Sequence, residues 1–152
     1  MDERTHDRPQ VDAALLVMRL VAGIIMSAHG AQKLFGAFGG MGLAATMSPQ
    51  GPGGGGVIGL LVGIGEFFGG LGMLLGFLSR FSALANISIM LGAIALVHGK
   101  NGFFLPMGFE YNVALIGLFA AILIAGPGRY AVGRFLPLPK EAGTDRPIAI
   151  VE

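Results

Sequence analysis

The chain has 152 residues, a length that suits one domain. It is 53% hydrophobic and only 12% charged, with a mean hydropathy of +0.73, far from the roughly 25% charge of a soluble domain. A net charge of +1 gives no basis for nucleic-acid binding, and the absence of cysteine excludes disulfides, thiol redox chemistry, thiolate metal sites and covalent c-type haem attachment within this chain.

Residues 1–12, MDERTHDRPQVD, mix both signs of charge and contain a proline. They lack the basic-then-apolar start of a cleaved signal peptide and read as a mobile polar arm. The first apolar run, about 13–35, is interrupted by Arg19 and turns polar at His29, Gln32 and Lys33. The next stretch, 36–56, holds nine glycines with Pro49 and Pro52, too many breakers for a stable span, with a short interfacial helix expected near 41–47.

The second run, 57–78, carries one charge, Glu66, and as a helix is roughly 33 Å long, enough to cross the hydrocarbon of a bilayer. Its glycines fall into two sets. Gly65, Gly69, Gly72 and Gly76 share one helical face, and Gly59, Gly63 and Gly70 share a second about 100° away, with Glu66 on it. In lipid such faces let neighbouring backbones pack closely, so these residues are expected to mediate helix packing. A tight turn is expected at 78–81. A third span follows over about 81–98, with Ser82, Asn86, Ser88 and Gly92 as interhelical contacts. A second loop covers 100–109 and a short fourth span 110–125, stopped by Gly126-Pro127-Gly128. A charged, proline-bearing tail occupies 131–152.

The fold class is therefore all-α, a four-helix transmembrane bundle. Four spans put both termini on one side, together with Arg4, Arg8, Arg80, Arg129, Arg134, Lys140 and Arg146, whereas Lys33 and Lys100 lie on the other. The basic excess orients both termini to the cytoplasm, in a multi-pass protein of the inner (plasma) membrane. The end of span one, His29-Gly30 with Lys33 and Phe35, is echoed by His98-Gly99 with Lys100 and Phe103, a pattern that two related helical hairpins would produce.

Ionisable groups inside spans are costly, so each calls for a partner or a role. Counting helix rise, Arg19 lies about 9 Å in from the cytoplasmic side and Glu66 about 14 Å in from the outer side. Depth alone brings His29, Lys33, Glu66, His98 and Glu110 toward one outward-facing pocket. Glu66 reads either as a proton acceptor or as a carboxylate tying span two to Arg19 or Lys33. Arg19 reads as structural or ligand-binding. His29 and His98 read as packing residues, as quinone or proton ligands, or as a haem b pair, although nothing in their spacing is specific to haem. Glu110 reads as a cap on the fourth helix. No phosphate-binding loop or HExxH motif is present, and no metal site is expected.

Three stretches, LLVMRLVAGIIMSAHGAQKLFG (15–36), GIGEFFGGLGMLLGFLSRFSALA (63–85) and ILIAGPGRY (122–130), resemble the DoxX family of small four-helix membrane proteins. The family pattern falls on Arg19, His29, Gly30, Lys33, Glu66, Gly69, Gly70 and Arg80. Ala131, Val132 and Gly133 stand where the family often has serine and aspartate. The family takes its name from a subunit of a thiosulfate:quinone oxidoreductase. The resemblance implies a subunit of a quinone-linked membrane redox complex. In that reading quinone is the cofactor, His29 and Glu66 handle its protons, and Lys33, His98 and Arg19 contact ligand. The alternative is a non-catalytic accessory subunit whose glycine faces pack against other membrane subunits or a second copy. Whether the chain is an enzyme is left open by both readings, and lipid is a partner in either.

Overall fold

The computed structural model describes residues 9–136. Arg4, Arg8, Lys140 and Arg146, used above to orient the chain, lie outside the described residues. Among the described residues the regular structure is entirely helical. Helix α1 spans Pro9–Phe35, the short α2 spans Gly42–Thr46, and α3 spans Gly56–Leu75. Helix α4, Ser79–Ala93, continues through a π-helical segment at Ile94–His98 and a 3-10 turn at Gly99–Asn101. Helix α5 spans Glu110–Ala125, and a last 3-10 turn spans Val132–Phe135.

Pro9–Phe35, Gly56–Leu75 and Ser79–Asn101 are long and apolar enough to cross a membrane; Glu110–Ala125 is apolar but shorter. Their outward surfaces are hydrophobic. Val17, Ile24, Leu61, Phe68, Leu84, Leu91 and Ile124 are each more than half exposed, a surface that water would penalise and lipid would not.

The core is drawn from α1, α3, α4 and α5. Ala22 and Met26 of α1, Met73 of α3, Ala83 and Met90 of α4, and Leu115, Phe119 and Ile122 of α5 form one buried cluster. Helix α1 packs on α3, α3 on α4, α4 on α5, and α5 returns to α1.

Both glycine faces of α3 are consumed inside this arrangement. At Gly65 an added Cβ would lie 2.7 Å from Ile89 Cδ1, at Gly69 it would lie 2.5 Å from Asn86 Nδ2, and at Gly72 it would meet the Ser82 hydroxyl, so this face belongs to α4. At Gly63 it would meet Leu34 and Lys33, and at Gly70 it would meet Ser27 and the Gly23 carbonyl, so the other face belongs to α1. The close approach is reciprocal. A Cβ on Gly30 of α1 would lie 2.6 Å from Phe67 Cα.

Gly76 departs from the expectation that it shares the packing face. It is the left-handed cap of α3 (φ 68°, ψ 37°). Its N–H donates to the Met73 carbonyl at 3.2 Å and the Phe77 N–H to the Gly72 carbonyl at 2.8 Å. This paired closure satisfies carbonyls at the helix end and favours glycine. The reversal therefore sits at 76–78, and Ser79–Phe81, expected to be a turn, already belong to α4.

The polar arm also ends earlier than expected. Residues 9–12 are the first turn of α1, where proline is tolerated because its missing N–H has no intrahelical partner. Asp12 is buried there. Its Oδ1 accepts from the Arg129 backbone N–H at 3.1 Å, and its Oδ2 lies 3.0 Å from Arg129 Nε. The buried segment Gly126–Arg129 is thereby fastened under the helix ends.

Candidate functional site

Arg19 belongs to that closed end. Its side chain is fully buried, and its guanidinium donates to the Met73 carbonyl at 3.2 Å and to the Tyr130 carbonyl. Two turns of α1 separate it from the nearest cavity residue, Met26, and it takes no part in the cavity wall. Of the two readings of Arg19, its contacts match the structural one: they fasten α1 to the end of α3 and to the chain after α5.

The opposite half of the bundle holds a cavity of about 620 Å³. His29, Lys33, Glu66 and His98 all line it. Helix α1 presents Met26, His29 and Lys33 at intervals of three and four residues, so they share one face. Glu66 reaches the same wall from the middle of α3, on the glycine face that lets α1 approach. Lys33 Nζ donates to Glu66 Oε2 at 2.6 Å, with little of either side chain exposed. Of the two pairings considered for Glu66, the structure selects Lys33.

His29 lies beside Tyr111 of α5, ring centroids 6.4 Å apart. His98 closes the π-helical segment, and its Nδ1 lies 3.0 Å from the Met107 carbonyl. Tyr111 and Asn112 line the cavity too. Asn112 is buried and makes a 3.4 Å contact from its amide nitrogen to Met90 Sδ. Neither Tyr111 nor Asn112 is singled out from sequence. The signal is there: a tyrosine–asparagine pair directly after Glu110, in a helix that is apolar thereafter.

One expected member of the cluster, Glu110, stands aside. Glu110 is absent from the wall; its Oε1 accepts from the Leu105 N–H at 2.8 Å and holds the preceding loop. Lys100 is exposed. The echo between the two histidine-glycine motifs therefore ends in unlike roles. Both histidines face the cavity, but Gly30 abuts Phe67 whereas Gly99 abuts its own helix at Ile94, and only Lys33 of the two lysines reaches the wall.

The arrangement combines apolar walls from Met26, Val62, Ile89 and Leu115 with a polar set of an ammonium, a carboxylate, two imidazoles, a phenol and an amide. It can grip a largely apolar molecule by one or two polar atoms and exchange protons with them. Among the described residues no group of three or more histidine, cysteine, aspartate or glutamate side chains is placed to hold a metal.

No solved structure matches this chain. It is similar to the inner membrane protein YqjF of Escherichia coli (strain K12), 32% identical over 136 residues, which cover 82% of this chain and 93% of the relative. The DoxX family model matches residues 14–99, a stretch that includes most of α1, all of α3 and α4, and the residues His29, Lys33, Glu66 and His98. Matched over more than half of its length, and bearing the apolar helices of a membrane protein, the chain belongs to the DoxX family.

Proposed function

We propose that the protein is a membrane subunit of a quinone-linked oxidoreductase and that its cavity holds the quinone head group. In this reading α1, α3, α4 with its continuation, and α5 all cross the bilayer. Helix α5, at 16 residues, spans about 24 Å, short of a hydrocarbon core of about 30 Å, and completes its crossing with Phe109 and the preceding loop in the interface. The basic residues Arg80, Arg129 and Arg134 lie at the end away from the cavity. They favour cytoplasmic termini and a cavity on the outer side of the inner membrane.

One observation carries the reading: the Lys33–Glu66 pair sits on the wall of a cavity. An ion pair inside a membrane is costly to bury, and ionisable groups kept there characteristically face a cavity that serves a substrate or proton path. The residues present fit a quinone ring. The walls are apolar, and N–H and O–H donors stand on α1 and α5. When bound, a quinone supplies a carrier of two electrons and two protons. An ammonium has three donors, so Lys33 can hold Glu66 with one and a ligand carbonyl with another. His29 and Glu66 would be the groups that exchange protons with the ring oxygens, with Tyr111 of α5 packed beside His29.

The second reading, an accessory subunit, draws part of its support from glycine faces packed against a partner. Helix α3 spends one face on α1 and the other on α4, which removes that support.

Titration of the purified protein with a one-isoprene ubiquinone tests the proposal. Saturable binding is expected, weakened about tenfold or more, or about 1.4 kcal/mol, in His29→Ala and in Glu66→Gln. Equal binding by wild type and both variants would overturn the assignment.

A further inference from the structure

Helices α3 and α4 run antiparallel from the reversal at 76–78. Their contacts climb in register, Gly72 with Ser82, then Gly69 with Asn86, then Gly65 with Ile89. The next rungs would bring Val62 to Gly92 and Ile58 to Leu96. At that level the helices separate. A Cβ on Gly92 meets nothing within 4 Å, and Ile58, Val62, Gly92 and Leu96 all line the cavity. Ile58 is also 56% exposed and Leu96 69% exposed, so the same residues border the cavity and the outer apolar surface.

Other sides of the cavity carry packed residues or loop. The core cluster of Met26, Met73 and Phe119 fills the bundle below the cavity, and the Asp12–Arg129 fastening lies at its far end. Pro52–Gly53 and the loop at 105–108 contribute to the outer wall. Gly30 and Gly70 draw α1 onto α3, and Asn112 meets Met90 between α5 and α4.

We propose that the cavity opens sideways into the bilayer between α3 and α4, and that its ligand is a single-tailed amphiphile whose apolar tail leaves through this gap. The inference rests on the quinone reading for the head group. A cavity of about 620 Å³ encloses a substituted ring and a short stub of tail. A long prenyl or alkyl tail needs volume outside it, and the gap supplies an apolar route continuous with lipid. Entry by this route never exposes the tail to water.

The test compares a tail-free dimethoxy-methyl-benzoquinone with decylubiquinone, binding to protein in lipid nanodiscs by native mass spectrometry. Gly92→Leu and Gly92→Phe place bulk in the gap. They are expected to weaken decylubiquinone about tenfold or more while the tail-free ring stays within about twofold. Gly92→Ala adds one methyl into open space and gives a smaller loss in the same direction. Leu96→Trp, at an exposed position, supplies the same obstruction should the bulkier Gly92 variants fail to fold. Folded variants that bind both ligands as wild type does, or lose both equally, would overturn the portal and leave the head-group site standing. A wild-type protein that binds neither quinone would overturn the function proposed above, and the portal with it.

Discussion

Lys33 on α1 and Glu66 on α3 meet at 2.6 Å across the seam where glycines bring the two helices closest. The pair faces a cavity, so its energetic role and its chemical role are separable. Replacing one partner leaves an uncompensated charge; replacing both removes the charges together. Lys33→Met or Glu66→Leu alone is expected to cost about 1–3 kcal/mol, below the range for a fully sealed pair because the cavity lets solvent or ligand compensate. The double variant should be more stable than the sum of the single losses, with a coupling of about 0.5–3 kcal/mol. Thermal or chemical unfolding in detergent measures this, and strict additivity would mean that the two groups do not hold each other.

Asp12 and Arg129 are 117 residues apart in sequence and both buried, joined by a backbone hydrogen bond and an ion pair. Asp12→Ala removes the carboxylate from a buried guanidinium, a change in the class that costs about 3–5 kcal/mol. Asp12→Asn keeps an acceptor for the Arg129 N–H and should cost less. Unfolding midpoints for the two variants check the order. An unchanged midpoint in Asp12→Ala would return residue 12 to the polar arm.

The glycines divide into those that hold helices together and those that do not. A Cβ at Gly30 runs into the Phe67 backbone, and one at Gly70 runs into Ser27. Backbone cannot yield as a flexible side chain can, so Gly30→Ala should destabilise clearly, by about 1–3 kcal/mol. Nothing lies within 4 Å of a Cβ at Gly117 on α5, so Gly117→Ala should be neutral or stabilising by up to about 1 kcal/mol. Equal effects of the two substitutions would contradict the packing described for α1 and α3.

Helical character and the long apolar runs were legible because membrane spans announce themselves by composition over about twenty residues. The gathering of His29, Lys33, Glu66 and His98 was legible as depth, since helix rise alone sets how far each lies along the bundle. Which faces converge was not. Glu110 has the right depth, yet its carboxylate turns to the Leu105 N–H. Arg19 is a span arginine like any other until the chain after α5 folds back and offers the Tyr130 carbonyl. Asp12 reads as solvated because it closes a polar stretch of mixed charge, and no local pattern reports a partner at Arg129. Gly76 matches the spacing of a packing face. Its role as a cap depends on where α3 ends, and element boundaries are the least legible feature of a sequence.

The most direct test of the central claim is native mass spectrometry on the protein purified from its own membrane in mild detergent. The account predicts one isoprenoid quinone retained per chain, lost on substitution of His29 or Glu66 while the fold persists. A protein that emerges within a large assembly with no small molecule bound to this chain would contradict it.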